Sequence, residues 1–226
     1  MEQERPKRTI VLLWLEIVCV TAAALWLIHS LDSRPGNRGA WLVAPVVLFL
    51  SATVPTFLRH KNLAEIGLRL WDRPAKNLRL SGGICVVVFP ALLCSVLLLK
   101  YYNVPLPLRP AVPEKGWPLW LMYQFLYVAV AEETFFRGYL QTNTLRLLTS
   151  AAQRNSAFSA LIAIIISAAV FAVFHSVLGG DLIAMITFLP GLILGWLFLK
   201  TGSLLAPILF HGLANAVYAL IGTVLT

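Results

Sequence analysis

The sequence predicts an all-α fold, a polytopic bundle of transmembrane helices, on three observations. Of its 226 residues, 59% are hydrophobic and 12% charged, and the mean hydropathy of +0.80 exceeds what one soluble core requires. The apolar residues lie in unbroken runs of about 20, the length that crosses a hydrocarbon core of about 30 Å. Those runs lack the alternation of apolar and polar residues that a membrane β-barrel shows.

Seven runs qualify, at residues 10–28, 40–58, 80–99, 117–140, 157–178, 182–199 and 203–225. The first follows Arg5, Lys7 and Arg8, like the start of a signal peptide. Its length, Glu16 and the lack of a small-residue cleavage site instead predict an uncleaved first span. After the second run comes a basic stretch, 59–79, in which Leu63, Ile66, Leu68, Leu70 and Trp71 are interleaved with cations. That mixture predicts a segment lying along the inner headgroup layer.

The third run carries Cys85 and Cys94, and the first carries Cys19. None has metal-ligand spacing, so all three read as small apolar packers. Five prolines between Pro105 and Pro118 then predict an outer loop that cannot hold a helix. No proline separates Leu119 from Arg154, and 143–154 is amphipathic. The fourth helix can therefore run past Leu140 to about Leu148.

Gly179-Gly180-Asp181 predicts a turn between the fifth and sixth runs, and Gly191-Leu-Ile-Leu-Gly195 has the small-xxx-small spacing of closely packed membrane helices. Pro190 and Gly191 could alternatively break the sixth helix. No polar stretch is long enough to fold alone, which predicts one membrane domain over 1–226 with its motif-bearing half at 117–226. The expected location is the cell membrane, as a multi-pass protein.

A net charge of +8 does not imply a nucleic-acid partner here, because the cations lie between spans rather than on one soluble face. With a cytoplasmic N-terminus, thirteen of the 18 Lys and Arg residues fall on inner segments. That bias predicts N-in and, for seven spans, C-out.

Ionisable side chains within a span cost several kcal/mol unless paired or facing a wet cavity. Glu132 and Glu133 sit in Val128-Ala-Val-Ala-Glu-Glu-Thr-Phe-Phe-Arg137, with apolar residues on both sides. Glu133 and Arg137 are four apart, the order and spacing of a helical ion pair, so Glu133 is expected to be the structural partner. Glu132 points about 100° away and has no local partner, which makes it the candidate reactive carboxylate. The competing reading has both glutamates marking a helix end.

His175 closes the fifth run and His211-Gly-Leu-Ala-Asn215 lies in the seventh. Each histidine alone reads as a packing residue, and His29 and His60, at span ends, read as interfacial. His211 and Asn215 share one helix face about 6 Å apart along the axis. Packed around one polar cavity, Glu132, His175, His211 and Asn215 would supply a base, a partner for the water and oxyanion donors, the needs of peptide hydrolysis. The same two histidines and glutamate could hold zinc. Because an asparagine adds little as a zinc ligand and much as an oxyanion donor, a metal-free glutamate-activated water is favoured.

Depth is the remaining constraint on this set. A fourth helix ending near Leu140 would put Glu132 toward the inner face and His175 toward the outer, whereas an end near Leu148 brings Glu132 to the midplane. An eighth half-span after His175 is the alternative. A transporter would spread its ionisable residues along a path, and a non-catalytic immunity protein would keep them for packing.

Glu132-Glu133-Thr-Phe-Phe-Arg137, Phe171-Ala-Val-Phe-His175 and His211-Gly-Leu-Ala-Asn215 resemble the three motifs of the CAAX protease and bacteriocin-processing family, in the family's order. The resemblance implies an intramembrane endopeptidase in which Glu132 and His175 activate water, His211 and Asn215 support the oxyanion, and Glu133 and Arg137 support the first motif. It implies a membrane-associated protein or peptide substrate, prenylated or bearing a C-terminal signal. The first three spans match no motif.

Overall fold

A computed structural model describes residues 4–32, 40–59, 61–69, 71–104, 112–113, 115–152 and 156–225. His60, Leu70, Arg154 and most of the proline-rich loop lie outside them. Among the described residues there are seven helices and no strand: α1 (Glu4–Asp32), α2 (Ala40–Leu58), α3 (Pro74–Tyr101), α4 (117–152), α5 (Ser156–Gly179), α6 (Phe188–Thr201) and α7 (Leu205–Leu225).

By length and composition, five helical segments among the described residues can cross a membrane: Ile10–Leu31, Pro74–Tyr101, Ala157–Gly179, Leu182–Thr201 and Leu205–Leu225. The expected count of seven spans is thus met for five. The second run is the shorter apolar helix Leu42–Leu58, with Pro45 and Pro55 inside it. The fourth carries Glu132, Glu133 and Arg137 and changes helical type repeatedly along its length. Water is not the solvent of the outer surface: Val11, Leu12, Leu15, Val18 and Trp26 of α1 and Val86 and Val87 of α3 are largely exposed, an apolar area that a bilayer covers.

The centre of the bundle is α4. At about 1.5 Å per residue it is roughly 50 Å long, and it carries the core: Phe135, Phe136, Tyr139, Leu140 and Leu147 are buried. Against them pack Ile17 and Ala24 of α1, Leu48 and Ala52 of α2, Phe171 and Phe174 of α5, Leu194 and Leu197 of α6 and Phe210 of α7. Phe136 meets Phe171 and Phe174 edge-on at 5.0 and 5.2 Å, geometries that the aromatic quadrupole favours. In contrast α3 is peripheral, joined mainly to α7 through the stacked rings of Phe89 and Phe210, 5.7 Å apart.

The small-residue stripe of α6 packs internally, as expected. A Cβ on Gly191 would lie 3.1 Å from Ala168 Cβ of α5, so only glycine allows that approach. Pro190 does not break the helix, because it stands in the first turn of α6, where its missing N–H costs nothing. The sixth run is not uniform, however: Leu182–Thr187 is a 3-10 turn, capped by Asp181 through a 2.8 Å bond from Ile183 N–H. Asp181 is therefore the turn residue the sequence predicts.

The basic segment after α2 differs from a strip lying along headgroups. Trp71 is exposed, but Ile66 is fully buried beneath Gly138, and Leu204 N–H donates to Gly67 O at 2.9 Å. Lys76 Nζ reaches Lys200 O, so the segment clasps the α6–α7 turn. Desolvation pushes the Glu65 carboxyl upward, but the Asn62 backbone N–H, Lys61 and Arg146 together hold it below the usual carboxylate range. All three cysteines are free thiols; Cys85 packs against the core, but Cys19 and Cys94 are exposed on the outer face of the bundle and are not packing residues.

Candidate active site

Two π-helical segments of α4, Tyr123–Ala129 and Thr134–Gln141, bracket one short α-turn, Val130–Glu133. A π-turn inserts a residue into the helical repeat and re-aims the side chains beyond it. The turn held between them is the one that carries both glutamates. The helix continues through Thr142–Ala152, past the Leu148 that the absence of breakers permits.

Glu133 and Arg137 are fully buried and their side chains meet at 3.0 Å. Arg137 Nη2 donates to Gly191 O at 3.2 Å, and its guanidinium carbon stands 4.5 Å from the Phe171 ring centroid. Glu133 Oε1 also accepts from His211 Nδ1–H at 2.7 Å. One carboxylate oxygen thus ties α4 to α7 while Arg137 ties α4 to α5 and α6. Removing one partner of a buried pair leaves an uncompensated charge, at a cost of about 3–5 kcal/mol.

Glu132 points elsewhere. Its Oε2 lies 3.9 Å from His175 Nε2 and 3.7 Å from His211 Nε2, and this shielded oxygen has no hydrogen-bond partner. The site is open on one side: the side chains of His175, Glu132 and His211 are 34%, 17% and 5% exposed. His175 Nδ1 is 3.0 Å from Phe171 O. A carbonyl can only accept, so Nδ1 carries the proton and Nε2 presents its lone pair to Glu132.

Asn215 stands one turn beyond His211 on α7, half-buried, and its Nδ2 donates to Gln124 Oε1 at 3.0 Å. The three motifs therefore meet around the Glu132 carboxylate: α4 brings Glu132, α5 His175 and α7 His211, with Asn215 one turn farther along α7. His175 stands 3.9 Å from Glu132, so the two share a site without an eighth helix among the described residues. Gln124 is a polar neighbour of this set that the sequence did not disclose, since a lone amide in an apolar run carries no spacing signal.

Glu132 and the two histidines, the set considered for zinc, meet at a single carboxylate oxygen. Among the described residues no group of three or more His, Cys, Asp or Glu side chains is arranged to hold a metal ion. Glu16, given no role by the sequence, accepts from Tyr139 Oη at 2.9 Å and lies 3.6 Å from Arg59, which joins α1 and α2 to α4 away from this cavity.

Residues 114–217 match the family model described as type II CAAX prenyl endopeptidase Rce1-like. Comparison with curated proteins and with solved structures finds no match. The matched segment contains all three motifs, with Glu132, His175, His211 and Asn215. The resemblance read from the motifs is borne out over that segment, which is similar to type II CAAX prenyl endopeptidases, and the long apolar helices fit a membrane protein.

Proposed function

We propose, from the Rce1-like character of residues 114–217, that the chain is an intramembrane endopeptidase in which Glu132 and His175 activate a water without a metal. One observation carries this reading. Glu132 Oε2 and His175 Nε2 are both acceptors and face each other across 3.9 Å. Two acceptors at that distance repel unless a donor with two hydrogens stands between them. A water about 2.8 Å from each would give both an O–H bond at an angle near 90°.

From that position the carboxylate takes the water's proton as the oxygen attacks the scissile carbonyl carbon. The carbonyl oxygen becomes an oxyanion, received by the Asn215 amide and by Nε2–H of His211, which acts as the imidazolium because its Nδ1–H is given to Glu133. The proton on Glu132 then passes to the leaving amine. Glu133 and Arg137 do not touch the substrate in this scheme, and they hold the helices that do.

The substrate would be a membrane-associated, prenylated protein or peptide. A recess of about 320 Å³ between α2 and α4, lined by Pro45, Val46, Phe49, Leu126, Tyr127 and Ala131 among others, supports an apolar ligand, because it ends at the residue before Glu132. The cell membrane is the proposed location.

The test is purified protein in detergent, incubated with a farnesylated C-terminal peptide and its unprenylated twin and followed by mass spectrometry. Cleavage of the prenylated peptide that survives a strong chelator is expected. Failure to cut any prenylated peptide would contradict the peptidase reading, and activity lost to chelator and restored by zinc would contradict the metal-free step.

A further inference from the structure

A side-chain carboxamide can present either of two ends, and an oxyanion donor is useful only with its N–H end toward the substrate. In this fold one neighbour sets that choice for Asn215. Its Nδ2 donates to Gln124 Oε1 at 3.0 Å, which sets the amine end of Asn215 against Gln124. The second Nδ2 hydrogen is then left to donate elsewhere.

Gln124 lies in the first π-helical segment of α4, about two turns before Glu132. The same helix therefore supplies the base and the group that orients the amide. The neighbouring contact fixes the spacing of the two helices. A Cβ on Gly212 would lie 2.5 Å from the Phe125 ring, so the residue after Gln124 and the residue after His211 are in direct van der Waals contact. That contact holds the backbones that carry Gln124 and Asn215 close together.

We infer that Gln124 is a positioning residue, which fixes the orientation of the Asn215 amide so that its free N–H meets the developing oxyanion. This rests on the peptidase reading above, in which Asn215 is the oxyanion donor. The role predicts an effect on turnover that exists only while Asn215 is present. A residue that merely glued α4 to α7 would act in either background.

The experiment is a double-mutant cycle on the full chain with a prenylated peptide, comparing wild type, Gln124→Leu, Gln124→Glu, Asn215→Ala and the double variant Gln124→Leu with Asn215→Ala. Gln124→Leu, which removes the acceptor, is expected to lower kcat about 10-fold with KM changed less than about twofold, a part of the roughly 100- to 1000-fold loss expected for Asn215→Ala. Gln124→Glu keeps an acceptor oxygen at the same reach and should restore most of the lost turnover. In the Asn215→Ala background, Gln124→Leu should add less than about a twofold loss.

Equal losses in the two backgrounds, or wild-type kcat in Gln124→Leu, would overturn the inference. Glu132→Gln run in parallel separates the two levels of argument. If Glu132→Gln is inactive while Gln124→Leu behaves as wild type, only the positioning role falls. Full activity in Glu132→Gln would remove the mechanism and the positioning role together.

Discussion

Glu132 and Glu133 are adjacent on one turn of α4, yet they face different surroundings. On the Glu133 side, a buried carboxylate meets Arg137 at 3.0 Å and His211 at 2.7 Å, and three other helices are held by those contacts. On the Glu132 side, a carboxylate oxygen without a hydrogen bond faces two imidazole nitrogens across gaps too long for direct bonding. The first arrangement suits stability, because both charges are neutralised where they are buried. The second suits chemistry: Glu133 also keeps one oxygen without a hydrogen bond, but that residue is sealed in the core, whereas the free oxygen of Glu132 stands between two imidazoles in a partly open site. One residue of helical rotation, held in place by π-turns on either side, separates the two.

If this division is right, variants on the two sides should fail in different ways. His175→Ala removes one of the two acceptors proposed to hold the water. It should reduce turnover by roughly 100-fold to as much as 10,000-fold, with an unchanged thermal midpoint in detergent. A matching fall in the midpoint would mean that His175 is a packing residue and that the division is wrongly drawn.

Arg137→Met acts on the other side. It leaves Glu133 buried with only His211 as a partner, and a loss of about 3–5 kcal/mol is expected in denaturant or thermal unfolding. Wild-type stability would show that the ion pair does not hold the bundle.

Gly191→Ala gives the smallest effect and sharpens the same comparison. Its Cβ would press on Ala168 at 3.1 Å just where Arg137 bonds to Gly191 O. Overpacking of this kind costs about 1–3 kcal/mol, read as a lowered midpoint. A neutral or raised midpoint would show that α5 and α6 can part without disturbing the Arg137 bond.

The sequence disclosed the local parts of this picture and missed the non-local ones. The Glu133–Arg137 pair was legible because it is set by four-residue spacing on one helix, and the His211–Asn215 face for the same reason. The shift of Glu132 toward the midplane followed only once α4 was allowed to continue past Leu140, which the lack of a proline permitted but did not require, and the depth of His175 did not follow from the sequence. Gln124, Glu16 and Ile66 were not legible as site or core residues. Their partners, Asn215, Tyr139 and Gly138, lie between 72 and 123 positions away, and no spacing rule connects them. The π-turns left no sequence signal, although they aim the two glutamates, because the residues that form them are ordinary helix formers for a membrane span.

The most direct test of the division is to measure turnover and thermal stability together in Glu132→Gln and Glu133→Gln, two isosteric changes one residue apart. The account predicts a crossed result. Glu132→Gln should lose its peptidase activity and keep its midpoint, while Glu133→Gln should lower the midpoint by stranding Arg137 in the core. Retained cleavage by Glu132→Gln, or equal loss of stability in both variants, would contradict it.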